Sequence, residues 1–186
     1  MATPSSKTVS YEKRAQAMQW PELALLWQAI KDEDTPTWDD GKALEYLVVR
    51  AFELSRLEVE YPYDVPPGGK PIEQIDGLVY LNDLAFLIEC KDKETADIQV
   101  IAKVRNQLER RPPTTLASIF IAGEFTTPAL ILTDLTSPHR ITLWTLDDIE
   151  SAVKARDFRS PLLDKYRHLC RFGLVDHSPH YKDLEV

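Results

Sequence analysis

The sequence predicts an α/β fold in which a mixed central sheet is flanked by helices, with further helices added at both ends. Three observations carry this expectation. Runs of strand length, rich in aliphatic and β-branched residues, alternate with segments whose apolar residues recur at helical spacing. Two such runs, residues 75–81 and 84–90, are separated only by Asn82 and Asp83, a pair that tolerates the positive φ of a tight hairpin turn. A third run, residues 115–122 (TLASIFIA), is apolar almost throughout, as befits a central strand covered on both faces.

At 186 residues the chain is long enough for one domain with a substantial core and short for two. It divides into an N-terminal extension with one helix (1–39), a core (40–155), and a C-terminal helix and tail (156–186). In the extension, residues 11–19 carry only a weak helical pattern. Pro21 followed by Leu23, Leu25, Leu26, Trp27 and Ile30 marks an amphipathic helix packed outside the sheet. The core opens with Leu44, Leu47, Val48, Ala51 and Phe52 at the spacing of a helix face that lies on a sheet. Residues 57–63 then alternate as a strand, with Pro62 fitting an edge position or a strand end. VPPGGKP follows as a loop and leads to the hairpin.

Beyond the hairpin, residues 96–110 form a helix with a stripe of Ile98, Ile101, Val104 and Leu108, ended by RRPP. The apolar strand comes next, then a short helix around Pro128. Residues 141–145 make another strand, and residues 146–155 a helix with Asp147 and Asp148 well placed at its N-terminus. A last helix is stopped by Gly173.

No apolar run reaches the length of a membrane span, and the first residues lack the apolar core of a signal peptide. Two cysteines outside any paired framework suit a reduced setting, so a cytoplasmic protein without a membrane partner is expected. Cys90 is expected to be a buried thiol, since alternation turns it to the apolar face beside Ile88. The net charge of −8 argues against a protein that coats DNA generally. The excess lies wholly in the first ninety residues, which hold twice as many acidic as basic side chains; the remainder is balanced. Within it, Lys154, Arg156, Arg159, Lys165, Arg167 and Arg171 outnumber the acids around them, and could follow a nucleic-acid backbone or form a solvated helix face. His168, Cys170, His177 and His180 match no standard zinc spacing.

The chemistry concentrates on the hairpin. Glu89 and Lys91, two apart, point to one face of their strand, and Asp76 falls among Ile75, Gly77 and Val79, where a lone carboxylate is costly to bury. Two carboxylates at adjacent strand ends make an oxygen-rich site suited to Mg²⁺ or Mn²⁺. Lys91 beside them could orient or deprotonate a polarised water, and Glu45 on the packed helix could add a carboxylate directly or through water. The alternative for Glu45 is an exposed helix carboxylate paired with a base such as Arg50. For the hairpin it is a structural ion pair that neutralises Lys91 on Glu89.

A helix bearing Glu45, then Asp76, then Glu89-Cys90-Lys91 resembles the PD-(D/E)XK nuclease superfamily over residues 40–155, although Ile75 stands where its motif has proline. The apolar strand and the following ITLWTLDDIESAV are similar to the Mrr-like branch, associated with type IV restriction of modified DNA. The resemblance implies a restriction endonuclease-like αβββαβ core and a metal-dependent DNA endonuclease with no small-molecule cofactor. It assigns Asp76, Glu89 and the Cys90 carbonyl to the metal, with Glu45 as the helix carboxylate and Lys91 as the catalytic lysine. DNA would be met by Lys70, Lys93, Lys103, Arg105, Lys154, Arg156 and Arg159. A homodimer is a further expectation, with residues 20–30 as candidate contact. The rival class is a nuclease-fold module that binds or assembles without cutting; hydrolysis of small phosphate compounds at the same site is a third possibility.

Overall fold

A computed structural model describes residues 6–65, 73–135 and 138–175. Five strands form the main sheet. β1 (Glu58–Glu60) pairs antiparallel with β4 (Gly77–Leu81), and β4 pairs antiparallel with β5 (Leu84–Lys91). β5 then runs parallel to β7 (Thr115–Ile121), and β7 parallel to β9 (Ile141–Trp144). The hairpin forms as expected, with Asn82 at φ 54° in its turn. Every residue of β7 is buried, in keeping with its unbroken apolar run.

Two of the expected strands are broken. The 57–63 run is interrupted near Pro62, and β2 (Tyr63–Val65) leaves the sheet to pair with β3 (Glu73–Ile75) in a separate ribbon. The 75–81 run likewise bends at Asp76, between β3 and β4. A second small pairing joins β6 (Thr95–Ala96) to β8 (Glu124–Phe125), two short strands that the sequence pattern does not predict. Gly123 permits that approach, because a Cβ there would lie 2.1 Å from the Glu94 carbonyl oxygen.

α3 (Lys42–Leu54) lies on one face of the sheet. There Phe52 meets Phe120 and Trp144 edge-on, with centroids 5.8 and 6.1 Å away. α6 (Leu146–Ala155) shares this face, entered through Thr145, whose hydroxyl accepts from the Asp148 amide. α4 (Ile98–Glu109) and α5 (Thr127–Leu135) cover the other face. Within α4 the buried stripe is Val100, Ile101, Val104 and Leu108, whereas Ile98 in the first turn is exposed. α7 (Arg159–Phe172) closes the described chain with Gly173 in the left-handed conformation after it.

The N-terminal extension holds two helices, α1 (Ser6–Ala17) and α2 (Trp20–Lys31), where one is expected. The inward face of α1 is too narrow to be read from periodicity: Ala15 is buried and Tyr11 stacks on Trp38 at 5.0 Å. α2 buries Leu23, Leu26, Trp27 and Ile30, and Trp20 stacks on Phe158. Only Leu25 is strongly exposed among its large apolar residues, so most of the surface expected to meet a second copy is already core.

Candidate active site

The break at Asp76 builds the site. The antiparallel register that pairs Gly77 with Ile88 carries Asp76 opposite Glu89, and the Asp76 Oδ2 accepts a hydrogen bond from the Cys90 amide at 2.9 Å. Asp76 is 5% exposed and Glu89 2%. Gly77 sets the distance to α3, since a Cβ there would stand 2.5 Å from the Val49 Cγ2. This close approach brings the first turn of α3 to the hairpin, and Glu45 is buried there at 7% exposure. Glu45 is therefore not an exposed helix carboxylate, and its partner is Lys42 at 2.6 and 2.9 Å; Arg50 pairs with Glu53.

Glu89 holds two ammonium groups. Lys91 Nζ stands 2.7 Å from Oε1, outside hydrogen-bond geometry, and Lys103 Nζ of α4 bonds Oε2 at 2.6 Å. The ion pair between Glu89 and Lys91 thus forms, and it coexists with Asp76 across the hairpin. Burial raises the pKa of Asp76, with Glu89 adding to the rise and the Cys90 amide and Lys103 opposing it. Burial and then Asp76 push Glu45 up to about 7, against the pull of Lys42. Burial alone would lower Lys91, but Glu89 outweighs it and holds the lysine protonated above its ordinary value. The Cys90 thiol is pushed well up by burial, which removes it as a nucleophile.

Among the described residues no group of three or more histidine, cysteine, aspartate or glutamate side chains is arranged to hold a metal. The chemistry of the donor set nevertheless fits a hard cation. Glu45 and Asp76 are pushed up by burial and by the carboxylates beside them, and Glu89 lies buried next to them with its Oε1 held by an ion pair but no hydrogen bond. As the side chains stand, Glu89 and Glu45 answer this charge with lysines. Asp76, Glu89 and, with a change of partner, Glu45 are the residues that could take a cation. Cys90 contributes its amide to Asp76.

The other expected residues are dispersed. Lys93 is exposed in the turn after β5. Lys103, expected to meet DNA, lies on Glu89 instead. Arg105, two residues along the same helix, faces away from it and lines a shallow cleft with Glu109, Thr133 and Arg140. Lys154, Arg156 and Arg159 are exposed at the far ends of α6 and α3: the neighbouring Phe158 amide donates to Ser55, ten residues along α3 from Glu45 and so about 15 Å from it. Lys154 pairs with Glu150 at 2.5 Å. Lys165 leaves the basic surface altogether, buried against Asp148 at 2.9 Å. Lys70, His177 and His180 lie outside the described residues. Sequence reasoning missed Lys42 as a site cation, although its i,i+3 spacing to Glu45 was a usable signal.

The mixed sheet flanked by helices is the restriction endonuclease-like fold. The chain is similar to the small subunit, R.BspD6I2, of the heterodimeric restriction endonuclease R.BspD6I. The TM-score is 0.57 at 15% identity, covering 83% of this chain and 91% of that one. It also matches the DNA modification-dependent restriction endonuclease AspBHI at a TM-score of 0.44 and 17% identity, over 84% of this chain and 41% of that one. No family model and no curated protein matches the sequence. Among the described residues no helix is long and apolar enough to cross a membrane.

Proposed function

We propose that the chain is a metal-dependent DNA endonuclease of the PD-(D/E)XK type, close to the Mrr-like branch and serving restriction or defence in the cytoplasm. The observation that carries the reading is the meeting of Asp76, Glu89 and Lys91 at one end of the β4–β5 hairpin with Glu45 buried beside them. Asp76, Glu89 and the Cys90 carbonyl would hold Mg²⁺ or Mn²⁺, with Glu45 acting through water. Bound there, the cation supplies charge neutralisation at phosphorus and lowers the pKa of attacking water. Lys91, held protonated beside Glu89 in the metal-free chain, would serve as a cation toward the phosphate. In the metal-free chain burial and Asp76 push Glu45 up to about 7, so it is the carboxylate that exchanges a proton near neutral pH before the cation enters. Lys93 would meet the DNA backbone near the site; Arg105, on the opposite flank of α4, and Lys154, Arg156 and Arg159 would meet phosphates farther along it.

The test is incubation of supercoiled, linear, branched and methylated DNA with the protein and Mg²⁺ or Mn²⁺. Wild type is expected to cut at least one form, and Asp76→Ala and Lys91→Ala to lose the activity. Equal cutting by either variant, or intact DNA throughout, defeats the reading.

The two lysines on Glu89 favour a second reading, a nuclease-fold module that binds or assembles without cutting. The similar R.BspD6I2 is one subunit of a heterodimer, which makes a second, different chain a reasonable partner alongside a second copy of this one. Mn²⁺ calorimetry separates the two readings, because the non-cutting module should show no site that Asp76→Ala removes.

A further inference from the structure

Both oxygens of Glu89 are engaged by ammonium groups, and both oxygens of Glu45 by a third. The three lysines come from three elements, Lys42 from α3, Lys91 from β5 and Lys103 from α4. They occupy the positions that an entering cation would contest, since a carboxylate oxygen cannot serve an ammonium and a divalent cation equally. Lys103 differs from the other two. Its side chain is 45% exposed, against 35% for Lys91 and 23% for Lys42, and it reaches Glu89 from the outer flank of α4 on a long flexible stem. Losing Glu89 leaves its charge at the mouth of the site and free to meet an anion.

We infer that Lys103 is a phosphate-binding residue held in reserve: it rests on Glu89 until a divalent cation takes that carboxylate, and then grips the DNA backbone beside the cut. This rests on the nuclease reading of the same carboxylates and adds to it an order of events. Metal uptake and DNA binding are coupled through one lysine, and the chain, acidic overall, holds DNA weakly until the metal is in place. The coupling is reciprocal, so DNA should tighten the hold on metal by the same factor.

The test uses the full chain with Ca²⁺ as the probe cation, with calorimetry for Ca²⁺ and fluorescence anisotropy for a labelled duplex in EDTA and in Ca²⁺. Lys103→Gln is expected to bind Ca²⁺ about tenfold more tightly than wild type, because a charge-assisted competitor has gone. Arg167→Gln, which removes the same charge from the outer face of α7, should stay within about twofold of wild type. The rise in DNA affinity that Ca²⁺ gives wild type should shrink about tenfold in Lys103→Gln, with the salt slope reduced by about one. Lys103→Arg should restore most of it. A Lys103→Gln variant with unchanged or weaker Ca²⁺ binding, or with an undiminished Ca²⁺-driven gain in DNA affinity, overturns the exchange. Uptake of Ca²⁺ and DNA as expected, without cleavage in Mg²⁺, overturns the hydrolytic reading alone. Cleavage by wild type with no Ca²⁺ effect of Lys103→Gln overturns this proposal alone.

Discussion

Gly77 is the point at which backbone packing and the site meet, and Gly77→Ala is the sharpest probe of it. The added Cβ would lie 2.5 Å from the Val49 Cγ2, 3.4 Å from the Glu60 carbonyl oxygen and 3.5 Å from the Ile88 Cβ. The last two are tolerable contacts. The first is about 1 Å inside the optimum separation of two carbons. Val49 is fully buried on a helix, where a β-branched side chain has one strongly preferred rotamer, so it cannot swing aside cheaply. Overpacking of this kind costs about 1–3 kcal/mol. At this chain length each kcal/mol lowers Tm by about 2–4 °C, so a fall of about 2–12 °C is expected in a thermal melt. Val49→Ala removes the methyl in the way. The double variant should therefore be more stable than the two separate costs added together, by about 1 kcal/mol or more in a double-mutant cycle. Additive costs, or a Gly77→Ala protein that melts within about 1 °C of wild type, would refute the account of why a glycine follows Asp76.

The buried pair of Lys165 and Asp148 predicts a large loss on breaking one side only. Lys165→Met should cost about 3–5 kcal/mol by urea unfolding, because Asp148 is left ionised and enclosed; Lys165→Met with Asp148→Asn should recover most of it, and equal losses in both would contradict the ion-pair explanation. The pH response of Glu45 follows from its raised pKa. Its contribution to the stability of the metal-free chain is full below the ordinary value of 4.5 and is lost as pH rises through about 7. Melts in EDTA from pH 5 to 8 should therefore fall less steeply for Glu45→Gln than for wild type. On the proposed function, Mn²⁺ should reverse the fall by favouring the ionised carboxylates, and identical profiles for the two proteins would count against it.

Much of the site was legible because its parts are local. Strand alternation puts Glu89 and Lys91 on one face, and the two-residue turn fixes the register that carries Asp76 across from Glu89. The buried state of Glu45 was not legible, because a carboxylate at the border of an apolar stripe looks the same whether its helix ends in solvent or against a hairpin. Lys165 shows the same limit. Its neighbours along the chain, Arg167 and Lys154, are exposed as the charge pattern suggests, and only the crossing of α7 over the start of α6 encloses it with Asp148.

The sequence by itself determined the hairpin, the buried central strand, the helices with wide apolar stripes and the acid, acid, lysine set, since each depends on periodicity or on turn chemistry within a few residues. Tertiary structure alone decided which charges meet. Lys103 is fourteen residues from Glu89, and the rotation of α4 against β5 places it on that carboxylate rather than in solvent. Lys154, Arg156 and Arg159 were carried to the opposite end of α6 because parallel strands β7 and β9 both finish beside the site and the helix after them must run back. Pairing of charges in space follows the packing of apolar faces, and that packing is fixed by the whole core rather than by the residues that carry the charge.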